Sequence, residues 1–276
     1  MMIFRRLAIA AFAGAVLAAT ALPALAAAVE TAAHRAAYRF KLKSSRSDSR
    51  VVDIKGGMTY EIADTCDGWT VNQTIVLHMF NQRNRVVRSV TSYSSWESKD
   101  GKRFRFNSRT TRNGRVSERY RGTATLKGDG SGGVADFTLP KKMRIILPPN
   151  SIFPTAHSEL VMSKAKAGGP FVWRVLFDGT TNEGPYGVSA VIGKPRTAKT
   201  PEQRKAQRLL GELGKEKFWP VKLAFFPNAS RSPEPEYELA VGMHPNSVAR
   251  WLVMDYGSFV IDAKLAKIEM LPKASC

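Results

Sequence analysis

Apolar and polar residues alternate along most of this chain. Residues 38–43 place Tyr, Phe and Leu at every second position, with Arg and Lys between them. The same period of two continues through Met58, Tyr60 and Ile62 and along residues 69–79. Strict alternation predicts β-strands with one buried face and one solvated face.

Turn signals separate these predicted strands at short intervals. Residues 85–96 and 102–109 are two further strands, and Asn113-Gly114 between the arms that follow predicts a type I′ hairpin. The glycine-rich run 128–133 is the next turn. A phosphate-binding loop is the alternative for this run, but no Gly-Lys-Ser/Thr and no helix pattern follow it. We therefore interpret it as a hairpin turn.

Two short helices interrupt the strands. The first is predicted over Pro154–Lys166 and is closed by two glycines, and the second begins at Pro201 and ends at Gly214. One face of the second helix is apolar and is formed by Ala206, Leu209, Leu210 and Leu213. Its other face is basic. A basic amphipathic helix can bind a membrane, but one this short more often covers the end of a sheet or barrel.

Strands resume after each helix, at residues 171–177, at 186–192 and in four segments between 221 and 268. Strands and helices do not alternate regularly, which argues against a doubly wound parallel sheet. We predict a mainly β fold, in which a single antiparallel sheet curls on itself and carries one or two short helices. No linker rich in Pro, Gly or Ser divides the chain, so residues 27–276 are predicted to form one domain.

The N-terminus has the order of a secretory signal peptide. Arg5 and Arg6 precede an apolar run from Leu7 to Leu22, and small residues surround Ala26. The alternative is an uncleaved anchor, but about 16 apolar residues fall short of the roughly 20 that a spanning helix needs. We predict cleavage after Ala26, export to the periplasm and no transmembrane anchor in the mature chain.

The chain is strongly basic, with a formal net charge of +19 over 276 residues. Removing Arg5 and Arg6 with the signal peptide leaves +17. Such a charge attracts polyanions. Export argues against nucleic acid as a partner, which leaves anionic lipids and envelope polymers. The alternative is that these Lys and Arg residues simply form the solvated faces of strands.

The two cysteines, Cys66 and Cys276, are predicted to form a disulfide, because an even pair in an exported protein is more often bonded than free. A redox-active site would need a CxxC motif or another setting that stabilises a thiolate. Neither is visible in the sequence.

Sequence motifs for catalysis or metal binding are missing. Four histidines lie far apart and do not form a metal-ligand spacing, and there is no GxSxG motif. His157 beside Ser158 and Glu159 could begin a hydrolytic site, but we interpret it as a partly exposed helix residue. Asp64 and Asp67 could form an acid pair, but around a cysteine in a turn they are better explained as turn formers. We predict no catalytic, cofactor or metal site.

Several segments of the chain resemble the EipB-like cell-envelope integrity proteins of alphaproteobacteria. These segments are residues 57–61, 64–73, 147–157, 177–179 and 255–259. The most specific element is a Cys in a CxxW setting with a second Cys near the C-terminus, matched by Cys66, Trp69 and Cys276. The resemblance implies a β-spiral, or incomplete barrel, held by that disulfide. It also implies a role in envelope integrity and stress resistance, and a periplasmic tetratricopeptide-repeat protein as a possible partner.

Three functions follow from these observations. The first is a noncatalytic periplasmic protein that supports the envelope by binding a protein partner. The second is a carrier that holds a lipid or lipopeptide inside the curled sheet, and the third, more remote, is a wall-polymer hydrolase. Trp69 and Tyr60 are candidates for binding or for packing against the disulfide. For Trp69 we favour packing against the disulfide, and a place in a binding groove is the alternative.

Overall fold

The computed structural model describes residues 30–83, 85–227 and 232–276. The predicted signal peptide, residues 1–26, lies outside them. The described chain forms one sheet of fifteen strands and two short helices. The predicted mainly β fold is therefore confirmed.

The elements follow one another in a simple order. The strands of the first half are β1 (His34–Ser45), β2 (Val51–Asp64), β3 (Gly68–Asn81), β4 (Val86–Ser98), β5 (Arg103–Arg112), β6 (Arg115–Leu126), β7 (Gly133–Leu139) and β8 (Met143–Leu147). The second half contains β9 (Ser151–Ile152), α1 (Pro154–Lys166), β10 (Phe171–Leu176), β11 (Tyr186–Ile192), α2 (Pro201–Leu210), a 3₁₀ turn (Gly211–Lys215), β12 (Trp219–Pro227), β13 (Tyr237–Met243), β14 (Ala249–Asp255) and β15 (Phe259–Met270).

The two halves of the chain meet at their ends. Strands β1 to β8 pair in sequence order, as do β9 to β15, and the first and last strands join the halves by antiparallel pairing of β1 with β15. The two edges of the sheet, β8 and β9, are consecutive in sequence. The sheet is therefore nearly closed into a barrel, with a seam between these two strands.

Asn150 lies at the seam. Its N–H donates to the carbonyl oxygen of Gly130 at 3.0 Å, and its own carbonyl accepts from the Val175 N–H at 3.4 Å. Asn150 has φ of +63°, a left-handed conformation that Asn tolerates better than most residues. One turn residue thus connects the β6–β7 turn with β10.

Buried apolar side chains form three clusters. One lies on β1, β2, β14 and β15, and a second packs the apolar face of α1 against β10 to β13. The third is rich in phenylalanine and contains Phe104, Phe106, Phe137, Phe153 and Phe177. These residues lie on the inner face of the sheet, so their side chains fill the space next to the barrel wall. Helix α1 packs against this inner face.

The predicted turns and helices are present with one difference. Asn113 and Gly114 both have positive φ, as a type I′ turn requires, and α1 has the predicted bounds. The second helix was predicted to reach Gly214, but α2 ends at Leu210 because Gly211 takes φ of +58° and the chain continues as a 3₁₀ turn. Leu210 is buried in the first cluster, whereas Leu209 is 38% exposed.

Candidate functional site

A cavity of about 590 Å³ lies inside the barrel. Its wall uses both halves of the chain, because residues of β1 to β6 line one side and residues between β10 and β15 line the other. Tyr60 pairs with Gln73, and Gln73 pairs with Tyr93, so these three side chains share the inner face and line the cavity. The volume lies within the range of roughly 300–1,000 Å³ that is typical of small-molecule sites.

Tyrosine is the dominant aromatic residue of the wall. Five of the seven tyrosines line the cavity: Tyr60, Tyr93, Tyr186, Tyr237 and Tyr256. Phe225 connects three of them into a row, with ring centroids 6.2 Å from Tyr186 and 5.2 Å from Tyr237, and Tyr237 lies 5.0 Å from Tyr256. Such a wall offers apolar ring faces and a few polar hydroxyls.

Burial keeps the tyrosine hydroxyls of the wall neutral. It raises the pKa of Tyr60, Tyr93 and Tyr237 above the usual value. The Tyr93 hydroxyl donates to the backbone carbonyl oxygen of Asp178 at 2.9 Å, which fixes its ring at the inner face. These groups therefore carry no charge, and the one hydroxyl proton of Tyr93 is already donated within the protein.

The charge of the cavity wall differs from that of the whole chain. Although the chain carries +19, none of the described residues that line the cavity is Lys or Arg. Three acidic residues line it, and two of them, Glu118 and Glu236, are exposed and lie at its mouth. The third, Asp178, has its pKa raised by burial and accepts hydrogen bonds from the backbone N–H and hydroxyl of Thr180. The wall therefore disfavours an anionic ligand, since such a ligand would find no counter-charge.

The N-terminus of α1 forms part of the same wall through Pro154, Thr155 and Ser158. The buried side chain of Glu97, at the end of β4, caps this helix. Its Oε2 accepts from the Thr155 N–H at 2.7 Å, and its Oε1 accepts from the Ala156 N–H at 2.8 Å. These are N–H groups that a helix start leaves without an intrahelical partner, and a negative charge is favourable there.

Two opposing effects determine the pKa of the Glu97 carboxyl. Burial raises the pKa of this carboxyl to about 7, although the two backbone N–H donors act in the opposite direction. Glu97 precedes Thr155 by 58 residues, so no local motif marks the cap in the sequence.

The two aromatic residues proposed from sequence, Tyr60 and Trp69, lie in different recesses. Tyr60 lines the main cavity, whereas Trp69 lines a second, open recess of about 690 Å³ that shares Thr31 with it. The Lys99 ammonium lies 5.2 Å from the Trp69 ring centre and forms an ion pair with Asp64 at 2.8 Å. A binding or disulfide-packing role for Trp69 stays a prediction.

The structure contains a disulfide between Cys66 and Cys276, with an S–S distance of 2.03 Å. It attaches the last residue of the chain to the turn between β2 and β3. In this turn the Asp64 carboxylate accepts from the Cys66 N–H at 2.9 Å, and the Asp67 N–H donates to the Thr65 carbonyl at 2.7 Å. Both acidic residues therefore take part in the turn, as expected from the sequence.

The sequence interpretation of His157 was wrong. This residue is only 5% exposed, because α1 lies inside the barrel and not on its surface. Burial and the nearby Arg174 lower the pKa of His157 to about 4, so its imidazole is neutral. Ser158 donates its hydroxyl to the Pro154 carbonyl at 3.0 Å and does not pair with this histidine.

Among the described residues, no group of three or more His, Cys, Asp or Glu residues is placed to hold a metal ion. Within the same ranges, no helix is long and apolar enough to cross a membrane.

Comparisons with known proteins identify the family to which this chain belongs. The family model described as EipB-like matches residues 25–272, which is most of the chain. The chain belongs to the EipB-like family. It is 32% identical over 266 residues to the cell envelope integrity protein EipB of Brucella abortus (strain 2308), covering 95% of this chain and 89% of that protein.

A solved structure supports the fold of this EipB-like protein. A crystal structure of a beta-barrel-like protein from Brucella abortus, with a domain of unknown function, is similar to it with a TM-score of 0.82 and 29% sequence identity. The match covers 89% of this chain and 100% of that one. The barrel-like architecture of this chain is thus similar to that of a solved protein.

Proposed function

We propose that this EipB-like protein is a noncatalytic periplasmic protein that supports cell-envelope integrity by holding an uncharged, largely apolar ligand in its barrel. The envelope role is taken from the name of its Brucella relative. The periplasmic location rests on the signal-peptide pattern of residues 1–26. The observation that carries the ligand proposal is the tyrosine-lined cavity, whose described lining residues include no Lys or Arg.

The lining residues define the chemistry of this ligand. Apolar side chains of β2 and β3, such as Ile62, Val71 and Ile75, face the aromatic row across the cavity. An acyl chain or another slender apolar group would bury its surface against both walls. A carboxylate or phosphate on the ligand would have to stay outside, because no Lys or Arg among the described lining residues could pair with it.

Two related fluorescent probes test this preference. N-phenyl-1-naphthylamine is uncharged, whereas 1-anilinonaphthalene-8-sulfonate carries a sulfonate on the same ring system. We expect the uncharged probe to bind in the cavity with one-to-one stoichiometry and enhanced emission. The sulfonated probe should not displace it, because the described lining residues offer no counter-charge for the sulfonate.

Neighbouring positions of β4 provide a matched pair of variants. Thr91 lines the cavity, and Ser92 is exposed on the outer face of the same strand. Thr91→Trp should fill the cavity and weaken binding of the uncharged probe by about tenfold or more, a loss of roughly 1.4 kcal/mol. Ser92→Trp should leave binding unchanged. Equal effects of the two variants, or preferred binding of the sulfonated probe at this site, would refute the lumen as the ligand site.

A second candidate function is the binding of a protein partner to the outer face of the barrel. Phe171, Trp173 and Val191 are 52%, 47% and 54% exposed. They lie together on the outer face of β10 and β11, because Phe171 pairs with Val191 and Trp173 pairs with Ser189. Exposed aromatic patches of this kind favour protein contacts. A tetratricopeptide-repeat protein, implied by the family resemblance, is one candidate partner.

Photo-crosslinking in living cells tests this second function. A benzoylphenylalanine side chain in place of Trp173 should give one discrete protein adduct. The same group in place of Lys267, which is exposed on β15, should not give it. The absence of an adduct at position 173, or the same adduct from both positions, argues against a partner on this patch.

A further inference from the structure

Four arginines form an exposed group on the outer wall of the barrel, opposite the inner cavity. Arg105 and Arg109 lie on β5, Arg119 and Arg121 lie on β6, and all four are exposed. They point away from the lumen, because Phe104, Phe106 and Ala124 on the same two strands are buried inside it. We call these four residues the arginine face.

Acidic residues do not neutralise the arginine face. In the described parts of the chain, none of its four guanidinium groups forms an ion pair. Asp136 on the neighbouring β7 is already held by Arg144, at 2.6 and 3.0 Å. Glu118 belongs to the inner cavity. The positions between the arginines are uncharged and polar, as at Ser94, Asn107 and Thr123.

The basic surface around β1 and β15 is different. There Arg35 pairs with Glu61 and Glu269, and Lys264 pairs with Asp262. Positive and negative side chains are interspersed on those strands, as is usual for a solvated face. The net charge of the chain therefore does not by itself explain why the arginine face lacks acids.

Charge repulsion within the arginine face destabilises the sheet. Arg109 and Arg119 are direct partners across β5 and β6, and like charges in directly opposed positions destabilise a sheet. Folding alone gives no reason for this pair. A bound anion between the two groups would turn the repulsion into two favourable contacts.

Part of the arginine face is preorganised. The Arg105 guanidinium carbon lies 4.6 Å from the centre of the Trp96 ring, and the Trp96 indole N–H donates to the Thr65 hydroxyl at 3.2 Å. An open groove of about 550 Å³ runs beside this stack, with Arg105 and Arg121 on its border and Ser94, Asn107 and Thr123 in its wall. Guanidinium groups with neighbouring hydroxyls and amides are the usual recognition set for phosphate oxygens.

We propose that the arginine face binds the surface of a bilayer that contains anionic phospholipids. The face is open and spans neighbouring strands, so it can meet several headgroup phosphates at once, whereas a single soluble phosphate would engage only part of it. The Trp96 ring is covered by the guanidinium groups of Arg103 and Arg105 and does not insert. Binding is therefore electrostatic and falls as salt rises. It does not depend on the lumen ligand.

Vesicle co-sedimentation tests the proposal with the full chain. Vesicles of equal parts phosphatidylcholine and phosphatidylglycerol should bind the protein at low salt, and vesicles of phosphatidylcholine alone should not. Changing all four residues of the arginine face to Gln should weaken binding by about tenfold or more, given the contribution of each cation near an anionic surface.

A control variant removes the same charge elsewhere on the outer wall. It carries Arg39→Gln, Lys41→Gln, Lys43→Gln and Lys267→Gln, four exposed positions of β1 and β15. We expect this variant to lose less than threefold in affinity, a difference of about 0.6 kcal/mol. Equal losses in the two variants would show that net charge alone drives binding and would overturn the proposal.

A pair variant keeps the test valid if the fourfold variant does not fold. Arg109→Gln with Arg119→Gln removes the cross-strand repulsion, so it should raise the melting temperature while it weakens vesicle binding.

Failure of the unaltered protein to bind anionic vesicles overturns the proposal. So does competition by inorganic phosphate beyond that of sodium chloride at equal ionic strength, which would indicate a site for single phosphates. Binding to an anionic wall polysaccharide but not to vesicles also overturns it.

Discussion

Glu97 connects the barrel wall to the helix inside the barrel. Its folded-state pKa of about 7 lies above its ordinary value of 4.5 because the carboxyl is buried. A raised pKa means that the folded protein binds the proton more tightly than the unfolded chain does. The resulting stability is fully present below pH 4.5 and is lost as the pH rises through 7.

We therefore predict that the free energy of unfolding decreases between pH 4.5 and pH 7 through Glu97. The decrease should be about 3 kcal/mol at most. Glu97→Gln cannot ionise, so this part of the pH dependence should disappear, although the variant places an amide against one of the helix N–H groups. Urea unfolding at several pH values measures the change, and the exposed Glu234→Gln is the control. The same pH slope in all three proteins would contradict the account.

The sequence predicted some residues of the site and missed others. Tyr60 was a candidate because it lies on the apolar side of an alternating strand, and the cysteines were the only possible disulfide pair. The tyrosine row could not be predicted, since Tyr186, Tyr237 and Tyr256 come from distant segments that meet only in the folded barrel. The Glu97 cap was missed for the same reason.

At the scale of elements, local patterns identified most strands and both helices. The alternation of apolar and polar residues indicates which face of a strand is buried, and turn residues indicate where strands end. The position of α1 could not be predicted from the sequence, because a helix inside a barrel and a helix on its surface can have similar short apolar faces. His157 was assigned to the surface for that reason, although the barrel wall covers it.

The pairing of β1 with β15 could not be predicted from local sequence patterns either. A meander of hairpins follows from the turns, but nothing in either strand specifies the other as its partner. Tyr38 aligns with Leu265, and Phe40 aligns with Ala263, so the pairing joins two buried apolar faces. This contact converts an open sheet into a nearly closed barrel and thereby creates the cavity.

At the scale of the whole molecule, the disulfide fastens the C-terminus to the first half of the chain. It closes a loop with a sequence separation of 210 residues. On the chain-entropy model, such a loop contributes about 5 kcal/mol at most by restricting the unfolded chain. Cys276→Ser should therefore lower the melting temperature, and a reductant should have no further effect on the variant.

Thermal unfolding with and without reductant measures this contribution. The double variant Cys66→Ser with Cys276→Ser is the control, because it should match the single variant. Equal melting temperatures for the unaltered protein and Cys276→Ser would refute a stabilising role for the bond.

Native mass spectrometry of the protein isolated from its own cell envelope tests the lumen proposal most directly. We predict a noncovalent ligand that adds mass to the native protein and to Ser92→Trp, that is released on denaturation and that is missing from Thr91→Trp. The denatured mass should correspond to cleavage after Ala26, less two protons for the disulfide. A native mass equal to that of the bare chain, or a ligand retained by Thr91→Trp, would contradict a ligand held in the barrel.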